Sequence, residues 1–391
     1  MRNQTRRFLQ LSAPAITVLA ALVISGCSGS LAVRHQRELD RLIVARSLDL
    51  REIVRPDRVN NEMREWLYRT VPPRPNSEDR LFDLVLALEN RKGGELEYEA
   101  GYTGTAEEVF STGKYNCLSY SHLFLALARE VGVDASYYQV QRSRRFRREG
   151  DVVLVSGHVT VGFGPRPNER LIKFNIRSDA DYRTAQPISD LTALGLYYSN
   201  RGSELIADGD VETAREWLEI ATQLAPHVQG NWVNLGVAKR RLGDLEGAEE
   251  AYLRALEIGE RFFPAYRNLA ALYKLRGEEE MRSRMMALLG GRGNRNPYTW
   301  LALGDHALDQ GLIEEAGDYY RRSLRLAVEP SEAMAALGLL ALRAGDPEAA
   351  REWLVKARES GAAVERIEEL ERSLEPELYW EFARDLTIRL E

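Results

Sequence analysis

Cys117 and His158 are the two side chains of this 391-residue sequence whose types and settings allow covalent chemistry. The loop Phe110-Ser111-Thr112-Gly113-Lys114-Tyr115-Asn116 runs into Cys117, and from Cys117 to Val131 the apolar positions Leu123, Phe124, Leu127 and Ala128 share one stripe, which predicts a helix. A thiol in the first turn of a helix feels the positive end of the helix dipole, and that field favours the thiolate, the nucleophilic form. His158 follows 41 residues later, within Val152 to Phe163, a segment that alternates like a half-buried strand. A cysteine opening a helix and a distant histidine on a strand are a candidate nucleophile and base. His122 lies five positions after the cysteine, about 140° around the helix, and reads as structural. His35, His227 and His306 are scattered, so neither a metal nor a cofactor is expected.

The elements that position this pair carry a resemblance. Thr105-Ala106-Glu107-Glu108-Val109-Phe110, Asn116-Cys117-Leu118-Ser119-Tyr120 and Ala126-Leu127-Ala128-Arg129-Glu130-Val131-Gly132-Val133 resemble the transglutaminase-like superfamily of papain-type cysteine enzymes, over roughly Leu48 to Asp190. The resemblance implies an α+β papain-like domain in which Cys117 takes the acyl group and His158 is its base. It also implies an Asp or Asn on the next strand, Leu171 to Ile176, that orients the imidazole. Where related sequences place an acid just before a Phe, this chain has Lys173-Phe174; Asn175, two positions on and on the same strand face, takes the third role, with Asp179 and Asp181 as alternatives.

Cys27 has other work. Arg2, Arg6 and Arg7 precede an apolar run from Ile16 to Ile24, the order of a secretory signal, too short to span a bilayer as a mature helix. Leu22-Val23-Ile24-Ser25-Gly26-Cys27 resembles a bacterial lipobox, which implies cleavage before Cys27 and its acylation; an uncleaved signal anchor is the alternative. Two or three acyl chains hold a protein stably on a membrane. With that resemblance, Ser28 rather than Asp after the cysteine implies the periplasmic face of the outer membrane in a Gram-negative cell. With Cys27 acylated, Cys117 has no intramolecular cysteine partner.

Behind the anchor the composition is that of a soluble body. Hydrophobic residues make up 44% of the chain, enough to bury sizeable cores, and the length suggests about two domains. Removing the signal leaves 50 basic against 59 acidic side chains, a net charge of −9, which does not suggest a nucleic-acid partner. Arg142, Arg144, Arg145, Arg147 and Arg148 read as a solvated hairpin, with contact to anionic headgroups or an acidic polymer as the functional alternative.

The second half repeats with a period of 34. Tyr198, Trp232, Tyr266, Trp300 and Met334 keep the phase, as do Gly209, Gly243, Gly277, Gly311 and Gly345. Ala214, Ala248, Ala316 and Ala350 keep it too, whereas Arg282 breaks it, and the third repeat runs out in a loop from Gly290 to Pro297. With Gly202, Gly236, Gly304 and Gly338, these positions resemble tetratricopeptide repeats, each a pair of antiparallel helices. Arg240, Arg267 and Lys274 match positions that line the concave groove in that family, where a basic surface would hold a peptide carboxylate; scattered surface charge is the alternative reading of the same residues.

The expected organisation is therefore a signal peptide over 1–26, a tether over 27–47, a transglutaminase-like domain over 48–190, five tetratricopeptide repeats over 191–360 and capping helices over 361–391. The expected fold is an α+β papain-like domain followed by an all-α solenoid. One reading is an enzyme of peptidase, amidase or acyltransferase type, its repeats engaging a protein or peptide partner. The other is a scaffold of the same build without catalysis.

Overall fold

A computed structural model describes residues 30–91, 96–140, 146–149, 152–155, 158–164, 169–172, 185–290, 294–360 and 365–374. The chain divides into two compact units, and the division falls between Tyr197 and Tyr198, inside a helix. The first unit holds the described residues of 30–140, 158–172 and 185–197; the second holds those of 146–155 and all that follow Tyr197.

The elements up to that division are α1 (Leu31–Val44), α2 (Asn61–Thr70), α3 (Ser77–Glu89), β1 (Glu97–Tyr98), α4 (Ala106–Thr112), β2 (Lys114–Tyr115), α5 (Cys117–Glu130), β3 (Ala135–Val140), β4 (Phe146–Glu149), β5 (Val152–Val155), β6 (His158–Phe163), β7 (Arg170–Leu171) and β8 (Gln186–Ile188), with α6 (Asp190–Asp208) crossing it. Helix α5 is the core of the first unit: every residue from Leu118 to Arg129 is buried. A helix apolar all round needs neighbours on all sides. Helices α1 to α4 pack against it or its partners, and β3 and β6 cover another face. The main sheet has the order β7-β6-β3-β8, with antiparallel neighbours throughout, and Val140 pairs with His158 at the end of the β3–β6 ladder.

Two expectations change here. Residues 27–47 are not all tether: 31–44 form α1, capped by Ser30, with Ala32, Leu39 and Ile43 buried. Their spacing of seven and then four puts them on one stripe, so the segment is an amphipathic helix docked on α5. The stretch Val152 to Phe163 is not one strand. Its first part, β5, pairs antiparallel with the arginine-bearing β4, while β6 pairs with β3 and β7. Alternation reports a pleat, and hydrogen-bond partners decide which sheet the pleat joins.

The second unit continues from the C-terminal part of α6 with α7 (Val211–Leu224), α8 (Gln229–Arg241), α9 (Leu245–Ile258), α10 (Phe263–Arg276), α11 (Glu279–Leu289), α12 (Pro297–Asp309), α13 (Ile313–Leu326), α14 (Ser331–Arg343) and α15 (Pro347–Glu359), then a helical segment over 365–374. The 34-residue glycines explain the turns. Gly209, Gly243, Gly277, Gly311 and Gly345 have φ of +89°, +85°, +74°, +76° and +80°, a left-handed conformation that suits glycine at a helix end. In three of the five turns the next residue, Asp210, Asp244 or Asp346, caps the following helix with its side chain. Ala214, Ala248, Ala316 and Ala350 are fully buried where paired helices approach. At the matching place Arg282 is also buried, its charge set against Glu279 at 3.2 Å and Asp309 at 2.8 Å.

Candidate functional site

Cys117 is the first residue of α5, and local chemistry fixes it there. Asn116 is the N-cap, with extended backbone; its Oδ1 accepts from the N–H groups of Leu118 at 3.0 Å and Ser119 at 2.9 Å. Ser119 Oγ in turn accepts from the Asn116 N–H at 2.8 Å, which completes a capping box. The cap is itself held, because Asn116 Nδ2 donates to the buried Thr103 Oγ1 at 2.7 Å. On the upstream side, Thr105 and Glu108 form a second capping box on α4, and Gly113, at φ +77°, turns the chain into β2. The Cys117 side chain is half-buried and takes part in no disulfide among the described residues.

His158 opens β6 and is 3% exposed. Ser121, one turn below Cys117, brings the two elements together: its Oγ lies 2.7 Å from the Cys117 carbonyl oxygen and 3.2 Å from that of Val159, the residue after His158. One hydroxyl proton is therefore shared between the first turn of the cysteine helix and the histidine strand. Aromatic rings flank the helix start, with Tyr115 5.0 Å from Tyr120 and 5.7 Å from Tyr98 between ring centroids. Asn175, Lys173, Asp179, Asp181 and the lipobox Cys27 lie outside the described residues.

The cap has a chemical consequence. Two of the first N–H groups of α5, the usual oxyanion donors at a helix start, are committed to Asn116 Oδ1. Sequence reading missed this cap and Ser121, although the pattern Asn-x-x-Ser and a small polar residue in an apolar helix were visible signals.

At the other end of α5 a buried charge network fixes its position. Arg129 donates to Asp190 Oδ2 at 2.6 Å and Oδ1 at 2.9 Å, and also to the Ala135 carbonyl. His35 of α1 lies 3.7 Å from the same Asp190. Burial alone would raise the Asp190 pKa, but the hydrogen bonds and charges of His35 and Arg129 hold it well below the usual carboxylate range. His122 is buried with Nδ1 2.7 Å from Tyr137 Oη, and desolvation pushes its pKa down to about 4, so it packs as a neutral ring. Among the described residues no group of three or more His, Cys, Asp or Glu side chains is set to hold a metal ion.

In the second unit, the expected basic groove is partly neutralised. Lys274 donates to Asp309 at 2.8 Å, and Arg282 reaches the same oxygen at the same distance. The large residues at the repeat phase anchor helices to their loops: Trp232 Nε1 donates to the Pro226 carbonyl at 2.8 Å, and Trp300 Nε1 to that of Asn294 at 3.1 Å.

Comparison with known proteins bears on this unit. Tetratricopeptide repeats match residues 200–262 and 301–372. A heat-shock protein cognate co-chaperone, sgt12, of Aspergillus fumigatus is 38% identical over 72 residues, 18% of this chain; the match spans about a fifth (21%) of the co-chaperone's length. An uncharacterized protein of Methanocaldococcus jannaschii is 39% identical over 62 residues, 16% of this chain and 72% of that protein. Among solved structures, PilF of Pseudomonas aeruginosa aligns with a TM-score of 0.41 and 18% identity over 50% of this chain and 90% of PilF. A thermophilic TPR protein of Thermus thermophilus aligns with a TM-score of 0.41 and 21% identity over 46% of this chain and 98% of that one. With the 34-residue phase, the left-handed glycine turns and the paired helices, the repeat-family match leads to one assignment: the chain carries tetratricopeptide repeats.

Proposed function

We propose that this chain is a cell-envelope lipoprotein in which a transglutaminase-like cysteine domain carries out acyl transfer or amide hydrolysis and the tetratricopeptide repeats engage its protein or peptide partner. The observation that supports the enzymatic part is the seating of Cys117 at the head of a capped, buried helix, with Ser121 shared between that helix and the strand that His158 opens. The Cys117 thiolate attacks a carboxamide or peptide carbonyl, the C–N bond breaks, and the proton held by His158 leaves on the amine. The resulting thioester is resolved by water, giving hydrolysis, or by a second amine, giving a crosslink. Asn175 orients the imidazole.

A scaffold without catalysis is the second reading. It draws on the Asn116 cap, which occupies two helix-start donors, and on Lys173, which stands where related sequences carry an acid. One experiment separates the two: mass-spectrometric capture of an adduct on Cys117 by an electrophilic amide analogue, with turnover on a library of glutamine-bearing and peptidoglycan-derived peptides and Cys117→Ala as blank. The enzyme gives an adduct and turnover above the blank; signal equal to the blank across the library supports the scaffold.

A further inference from the structure

Asp305 lies in the middle of α12, and Asp309, four residues on, shares its helix face. Both carboxylates are drawn to other repeats. Asp309 accepts from Lys274 of α10, and Asp305 is held from the opposite side by Arg366, in the 365–374 segment. Helices α8, α10, α12 and α14 begin at 229, 263, 297 and 331, a spacing of 34, and the helical residues 365–374 follow α15. The face that bears Asp305 and Asp309 thus meets α10 through Lys274 and the 365–374 segment through Arg366.

The grip on Asp305 is specific. Arg366 Nη1 donates to Oδ1 at 3.0 Å and Nη2 to Oδ2 at 2.8 Å, a bidentate fork, while the Tyr320 hydroxyl donates to Oδ1 at 2.7 Å. An ammonium cannot reproduce that planar geometry. Glu332 of α14 adds negative charge near the same guanidinium. Yet Arg366 does not anchor the segment by itself, because Ile367, Leu370 and Leu374 are buried against residues of α14 and α15. Those apolar contacts hold the segment on α14 and α15 independently of the ion pair. The Asp305 side chain keeps 38% of its surface exposed, so solvent reaches it.

We propose that Asp305, with the Tyr320 hydroxyl, is a guanidinium subsite of the repeat array, closed in the resting chain by Arg366, and that an arginine side chain of a partner peptide displaces Arg366 on binding. The proposal rests on the partner-binding part of the reading above and names the chemistry of that partner. Arg366 competes at an effective concentration on the order of millimolar or more, so a lone arginine peptide binds the wild type weakly.

The test is calorimetric titration of the full chain with acetyl-Gly-Arg-Gly-amide and with the same peptide carrying uncharged citrulline. Arg366→Ala should bind the arginine peptide about tenfold or more tightly than wild type and should not bind the citrulline peptide. Asp305→Asn in the Arg366→Ala background should abolish the gain. Arg366→Lys keeps a charge against Asp305 without the fork, and should show the same gain in smaller measure even if the alanine variant loosens the terminal helix. No gain in either variant, or equal binding of both peptides, overturns the subsite. A partner held by the wild type with affinity unchanged in Asp305→Asn would also overturn it while leaving the partner-binding reading intact.

Discussion

The Ser121 hydroxyl stands between two carbonyl oxygens, one in the turn that carries Cys117 and one beside His158. Removing it in Ser121→Ala should cost about 1 kcal/mol of stability, the net worth of one neutral hydrogen bond, and should slow adduct formation on Cys117 by about tenfold as helix and strand lose their common tie. Trapping rates for wild type, Ser121→Ala and His158→Ala decide it. A wild-type rate in Ser121→Ala, with His158→Ala slowed, would mean that the ladder to β3 alone keeps the strand in place. His122 offers a pH test. Its folded pKa of about 4 lies below the unfolded 6.5, so the unfolded chain takes up the proton first as pH falls. The stabilisation is complete above pH 6.5 and is lost towards pH 4, by roughly 3 kcal/mol at most. His122→Gln, which can still hydrogen-bond to Tyr137, should remove that part of the acid slope. Urea midpoints at pH 7, 5.5 and 4.5 measure it, and an unchanged slope would assign the acid loss to other groups.

Two close approaches set the pairing of repeat helices. A Cβ on Gly304 would come 2.3 Å from a ring carbon of Tyr320, and one on Gly236 would come 2.4 Å from Tyr252. Gly304→Ala should therefore destabilise the array by about 1 to 3 kcal/mol through overpacking, read as a lower thermal midpoint. The ring it displaces also donates to Asp305, so the same variant should weaken the Arg366 contact. The third repeat has another logic. Arg282 occupies a buried place where the other repeats have alanine, and it is stabilised by Glu279 and Asp309. Arg282→Ala restores the small residue but leaves a cavity and removes a cation from Asp309, so a loss of about 1 to 3 kcal/mol is expected. A more stable variant would show that alanine packing outweighs the ion pairs there.

At the scale of the molecule, the proposed lipid anchor would determine where any chemistry takes place. Among the described residues no helix is long and apolar enough to cross a membrane. Under the lipoprotein reading, Cys27→Ala should abolish acylation and leave an unprocessed precursor or a released form, followed by membrane fractionation after a high-salt wash. Wild-type levels in the washed membrane would overturn that reading. The two compact units part inside α6, after Tyr197 rather than at Asp190, where the sequence reading ended the first domain. The reason is that α6 serves both. Its first turn supplies Asp190 to the Arg129 network, and its later residues Ser199 and Ser203 accept from Asn234 Nδ2 at 3.0 Å each.

The sequence by itself determined the repeat architecture, because a 34-residue phase records the same local demand five times: a left-handed turn at Gly209, Gly243, Gly277, Gly311 and Gly345. It also placed Cys117 at a helix start, since the loop before it and the apolar stripe after it are local signals. Contacts between distant segments were beyond its reach. Nothing in the spacing of residues 31–44 says that the helix docks on α5, and nothing near Val152 says that one alternating stretch is split between two sheets. Ser121 between Cys117 and Val159, and Arg366 on Asp305 from 61 residues away, exist only because packing brings those chain segments together. Periodicity is a property of neighbours along the chain, whereas a shared proton or a bidentate ion pair is a property of neighbours in space, and only the tertiary structure supplies those.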